Sequence, residues 1–169
     1  MRNLFLFLFL SAATLVSLNA QKVGYINSQE ILMLMPEVKR ANSDLDVMKE
    51  MFSKKGKEMV ETLQTKYQEF QRKQQTGELA PVEAERQGAE LKEEEGKLGE
   101  FEQSSQDKIY TKTQELLGPI EEKVNKAIAD VATENAYLYV FDLSSGAILY
   151  HDVSTDISAL VKTKLGIVP

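Results

Sequence analysis

The sequence predicts an α+β protein: a long antiparallel helical hairpin with coiled-coil-like arms, projecting from a small β-rich body that oligomerisation completes. Three observations carry this reading. An apolar stripe in steps of three and four runs through residues 36–118, Gly77 and Pro81 break it together, and short β-branched runs lie toward both ends of the chain.

In the first arm Val38, Ala41, Leu45, Met48 and Phe52 alternate steps of three and four, the spacing of one coiled-coil face. Lys55 is expected to take the next core place, after which Met59, Leu63, Tyr67 and Phe70 continue in steps nearer four, so the seam drifts. Gly77 and Pro81, with Thr76 and Glu78 beside them, end one helix and start another, placing the tip of the hairpin near residues 74–81. The second arm carries a thinner stripe of Ala84, Leu91, Leu98, Phe101, Ser105, Ile109 and Leu116, with Gly88, Gly96 and Gly99 inside it. Each interior glycine costs about 1 kcal/mol relative to alanine, and this arm is expected to bend. An arm rising ~1.5 Å per residue reaches ~55 Å, so most of its surface faces water, a cavity or a partner. Residues 37–75 hold nine bases and seven acids while 78–118 hold five and eleven, which favours antiparallel pairing.

The remaining segments, 21–36 and 119–169, form the body. Residues Lys22 to Ile26 alternate as a strand, and Asn27 caps a short helix with Glu30 as its reciprocal partner in a capping box. Pro36 then restarts the chain into the 37–118 arm. Gly118-Pro119 is expected to interrupt the second arm, because proline removes a helix hydrogen bond and disfavours helix at the residue before it. Ile120, Val124, Ala127, Ile128 and Val131 then make a strong amphipathic stripe. Tyr137–Leu143, the turn Ser144-Ser145-Gly146 and Ala147–Tyr150 read as a β-hairpin, and Asp156–Leu165 as a closing helix capped by Ser154 or Thr155 and ended by Gly166. Three short strands and three helices bury a marginal core and leave open edges, for which oligomerisation is the remedy. Val23, Tyr25, Ile26, Tyr139, Phe141, Ile148 and Tyr150 are the residues expected to build that oligomeric body.

Residues 1–20 resemble a secretory signal, with Arg2 before the apolar run Leu4–Leu10 and a small residue, Ala20, ahead of the expected cut at Gln21. Removing them takes away only Arg2, so the formal charge of -6 becomes -7. So acidic a chain is a poor nucleic-acid binder. There is no cysteine, which excludes disulfides and thiolate chemistry, and the single His151 leaves no histidine pair for a metal. No phosphate loop is present: Gly56-Lys57-Glu58 lacks both the preceding glycine and the hydroxyl residue, so no nucleotide or other cofactor is expected. Asp142, Asp152 and Asp156 near His151, with Ser144 or Ser145, are explained more simply by turns than by an acid-base site, and no enzyme activity is expected.

The run Val23-Gly24-Tyr25-Ile26-Asn27-Ser28-Gln29-Glu30-Ile31-Leu32 resembles the Skp family, also called OmpH-like periplasmic chaperones. So do Ile128-Ala129-Asp130-Val131-Ala132 leading to Tyr137-Leu138-Tyr139-Val140-Phe141-Asp142, and Asp156-Ile157 with Val161 and Leu165-Gly166. The resemblance implies a homotrimer whose arms enclose a cavity, holding unfolded outer-membrane β-barrel proteins in the periplasm without ATP. Such a cavity would be lined by Met48, Met51, Phe52, Met59, Leu63, Tyr67, Phe70, Leu98 and Phe101, deformable apolar contacts suited to varied clients. Well-known members of that family are strongly basic. This chain is acidic, so contact with anionic lipid or lipopolysaccharide is not carried over to it. The competing expectation is a structural coiled-coil adaptor of the cell envelope with a folded partner and a more regular seam.

Overall fold

The computed structural model describes residues 21–167; the signal segment and the cut after Ala20 lie outside the described residues. In chain order the elements are β1 (Val23–Ile26), α1 (Ser28–Leu34), α2 (Pro36–Gln75), α3 (Pro81–Glu134) and β2 (Tyr139–Asp142), then 3₁₀ turns at Leu143–Ser145 and Val153–Thr155, and α4 (Ser158–Leu165). They fall into two compact units. One joins the described residues up to Ile31 with those from Val124 onward, and the other is Leu32–Lys123.

In the first unit β1 and β2 pair in parallel, Val23 opposite Tyr139 and Ile26 opposite Asp142. On the other edge of β1 the Ile157 N–H donates to the Tyr25 carbonyl at 3.0 Å, beside an isolated bridge between Tyr25 and Asp156. Thus β1 is central, and its Tyr25 and Ile26 are buried together with Ile31, Val124, Ala127, Val131, Ile157 and Val161 of the same unit. Asn27 Oδ1 accepts the Glu30 N–H at 3.3 Å while its Nδ2 donates to the Glu30 carboxylate at 2.8 Å. The capping box therefore closes between side chains and not on the Asn27 backbone.

The expected β-hairpin at 137–150 does not form. Asp142 Oδ1 accepts the Ser144 N–H at 3.0 Å, Ser145 Oγ donates to the Asp142 carbonyl at 2.8 Å, and Gly146 adopts φ +68°. These bonds curl the chain into a 3₁₀ turn where a hairpin needs it to reverse, and residues 147–150 form no strand. The same Asp-x-Ser device recurs twice: Ser154 N–H donates to Asp152 at 2.8 Å and Ser158 N–H to Asp156 at 2.7 Å. Helix α4 starts at Ser158, two residues later than expected, behind Ile157 as its N-cap; Asp156, one place before the cap, holds the Ser158 N–H, and neither Ser154 nor Thr155 caps the helix. Gly166, at φ +72°, ends α4 as the sequence predicts.

Asp142 also accepts the Ser28 N–H at 3.1 Å and the Ser28 hydroxyl at 2.5 Å, so one carboxylate holds both the start of α1 and the turn after β2. Burial pushes its pKa up, but hydrogen bonds from Ser28 and Ser144 outweigh this and the pKa lies below the usual value. A depressed carboxylate stabilises the fold above its unfolded pKa of about 3.9, and that contribution is lost as pH falls through the folded value. Asp142→Asn is therefore expected to cost roughly 1–3 kcal/mol near neutral pH, a difference that shrinks in acid. Urea unfolding of parent and variant at both pH values checks it.

The second unit is the helical hairpin. Along α2 the inward positions are Val38, Ala41, Leu45, Met48, Phe52, Gly56, Met59, Leu63, Tyr67 and Phe70. Gly56, and not Lys55, takes the core place, where a Cβ would meet the Phe101 ring at 3.7 Å, an ordinary packing contact. Gly88 faces Phe70 in the same way, at 3.8 Å. All seven expected stripe residues of the second arm are buried or half-buried, and the buried Ser105 donates to the Phe101 carbonyl at 2.6 Å. At the tip, the Glu78 N–H donates to the Lys73 carbonyl at 3.0 Å around Gly77, whose φ is +70°. The Glu78 carboxylate accepts from Thr76 Oγ1 at 2.9 Å and from Arg72 at 3.0 Å.

Gly118-Pro119 does not interrupt α3, which continues through both residues to Glu134. Pro119 leaves the Glu115 carbonyl without its helical donor, at about 3 kcal/mol. Leu116, Leu117 and Ile120 on either side are half-buried, and Val124, Ala127 and Val131 downstream are buried. Burying residues on both sides of the defect outweighs one lost hydrogen bond.

Candidate functional site

The two units present two surfaces that fold energetics alone leave unexplained, and each stands by itself. On the hairpin, eight of the nine cavity residues named from the sequence (Met48, Phe52, Met59, Leu63, Tyr67, Phe70, Leu98 and Phe101) are half-buried in the seam between α2 and α3. Met51 instead stands outward, 57% exposed. The rings of Phe52 and Phe101 meet edge to face with centroids 6.0 Å apart. Beyond Leu45 no residue of α2 is fully buried. The seam holds the helices together while leaving an edge of each apolar side chain open to solvent.

Grooves run along both flanks of the seam. One is floored by Phe52, Gly56, Val60, Phe101, Ser105 and Ile109, with Lys49, Lys57, Glu61 and Glu102 on its rims. The other has Met59, Leu63 and Leu98 beneath Lys55, Glu58, Lys66, Glu94 and Lys97, and continues toward the tip past Phe70 and Leu91. Lys66 pairs with Glu94 across that second groove, and Lys123 with Glu37 at 2.9 Å near the base of the hairpin. The hydrogen bond from Lys123 holds the Glu37 carboxyl below its usual range. The first flank is the more apolar. Val60, 45% exposed, was missed by sequence reasoning, because only the Gly56 register turns it toward that groove.

On the first unit the outer face of β2 is open. Tyr139 and Phe141 are 56% and 45% exposed, with rings stacked at 6.3 Å, and Leu149, Tyr150 and Val153 beyond them are more exposed still. Of the residues expected in an oligomeric body, Tyr25 and Ile26 are spent in the core of their own chain, and Val23 and Ile148 are half-buried. Tyr139, Phe141 and Tyr150 remain available.

The letters that suggest acid-base chemistry are occupied otherwise. His151 lies with its ring 4.1 Å from that of Tyr25, whose phenol is pushed up by burial and then by Asp156 and Asp152. Each of the three aspartates caps a turn. Among the described residues no group of three side chains could hold a metal ion, and no helix is long and apolar enough to cross a membrane.

Residues 22–165 match the family described as OmpH, outer membrane protein (OmpH-like). This chain belongs to the OmpH-like family. Among solved structures, the OmpH-like chain resembles one from Caulobacter crescentus described as a "putative outer membrane chaperone (OmpH-like)", at 18% identity and a TM-score of 0.68. That likeness covers 86% of this chain and 84% of the other, and at such identity it shows a shared fold. No curated protein matches.

Proposed function

We propose that this OmpH-like chain is an ATP-independent periplasmic holdase, exported by a signal cleaved after Ala20, which prevents aggregation of unfolded outer-membrane β-barrel proteins. Family membership supports a chaperone role. The observation that carries the reading is the half-open seam: apolar edges at Met48, Phe52, Met59, Leu63, Tyr67, Phe70, Leu98 and Phe101 follow one another down the hairpin without being sealed. Each offers a weak contact, and many in series hold a chain of any sequence. In this reading three copies associate through the open β2 faces, and their hairpins surround the client. Gly96 and Gly99, with nothing within 4 Å of where a Cβ would stand, give the second arm freedom to adjust to client size.

Light scattering tests it. An outer-membrane β-barrel protein unfolded in urea is diluted into buffer with residues 21–169 and no nucleotide, and scattering is expected to be suppressed at about three chains per client. Phe52 and Phe101 cannot be replaced cleanly, since each packs the other in the seam. The informative variant is Val60→Ser, an exposed side chain on the more apolar groove, so helix content should persist. Losing one partly open apolar contact at about 1 kcal/mol weakens holding by roughly fivefold. Unaltered client aggregation in the presence of folded, helical protein would sink the proposal. It would favour an envelope adaptor, which calls for a more regular seam than the drifting one found here.

A further inference from the structure

We infer that the exported chain carries its first residue as a γ-lactam, formed by cyclisation of Gln21; the inference rests on the export reading, in which cleavage after Ala20 makes Gln21 the new terminus. The fold begins firmly one residue later. The Lys22 carbonyl accepts the Leu138 N–H at 2.7 Å, and Lys22 Nζ donates to the Asn135 carbonyl at 2.9 Å while lying 4.1 Å from the centre of the Tyr137 ring. Gln21 is exposed and belongs to no element. Cleavage therefore frees an α-amine on the single residue that precedes the clamp, and that residue's own side chain carries an amide carbon able to close a five-membered ring with it.

The chemistry balances without a co-reactant. The unprotonated α-nitrogen attacks the side-chain amide carbon, a new C–N bond forms, and the old amide C–N bond breaks. One proton passes from the attacking to the departing nitrogen, and ammonia leaves. Intramolecular closure of this kind benefits from a high effective concentration of the two groups.

The test uses protein recovered from the envelope fraction of the organism that encodes it, kept cold and neutral, with free amines chemically labelled before digestion by a glutamate-specific protease. Mass spectrometry of the peptide Gln21–Glu30 is expected to show an unlabelled terminus lighter by one ammonia, and Gln21→Ser is expected to give a labelled serine at the same first position. A labelled Gln21 amine would overturn the lactam while leaving cleavage in place. A chain that starts elsewhere, or that retains residues 1–20, would overturn the cleavage itself and the lactam with it.

Discussion

Replacing Tyr139 and Phe141 together by serine is expected to dissociate the proposed three-chain assembly into single chains. Both side chains stand open on β2, stacked on each other at 6.3 Å, a costly exposure unless a second surface covers them. Burying an aromatic side chain of this size is worth about 1.5–3 kcal/mol. In the proposed ring of three the contact repeats at every interface, so the double variant removes on the order of 10 kcal/mol from the assembly. Sedimentation equilibrium reads the mass, and circular dichroism confirms that each chain remains helical. An assembly unchanged in mass would refute β2 as the association face. The same variant should also fail to suppress client aggregation, since a lone hairpin encloses nothing.

Gly24→Val should show the largest effect on folding itself. A Cβ at Gly24 would stand 2.9 Å from Ile157 Cγ2 and 3.2 Å from the Tyr137 ring, on a strand whose neighbours Tyr25 and Ile26 are buried. Ile157 is fully buried and has nowhere to retreat. Overpacking of this kind costs about 1–3 kcal/mol, and the two methyls of valine place the variant at or above the upper end. A lower urea midpoint for unfolding is the expected result. Gly96→Ala provides the contrast: nothing lies within 4 Å of that site, so alanine should gain up to about 1 kcal/mol of helix propensity. Equal effects at both sites would show that crowding at Gly24 is not what selects glycine there.

What the sequence disclosed follows the range of the forces involved. The hairpin was legible because its stripe, its tip at Gly77 and Pro81, and its antiparallel closure are set by residues a few places apart. The register at Gly56 was not, since an inward glycine becomes sensible only when Phe101 is known to lie opposite. Pro119 misled for a related reason: the local rule was sound, but burial on both sides outweighed it. The hairpin expected at 137–150 failed because neighbouring β-branched runs were paired with each other, while the true partner of β2 is β1 at the other end of the chain. For the hairpin surface, eight of the nine residues that sequence spacing picked out for a client cavity lie half-buried in the seam between the two helices. Spacing could not assign flanks, and so missed Val60.

The pairing of Val23 with Tyr139 also dictates an order of events. Ribosomes deliver β1 first, and its partner follows only after both helices of the hairpin have been made. Local helical contacts form early at little entropic cost, whereas a parallel strand pair closing so long a loop forms late. The hairpin is thus built to mature ahead of the sheet. In the proposed export route, a chain that has crossed the membrane displays β1 unpaired until β2 follows, the same kind of aggregation-prone segment that the proposed clients present. A newly exported copy is therefore itself a candidate client of finished ones, and its yield should rise with the amount of mature protein already present.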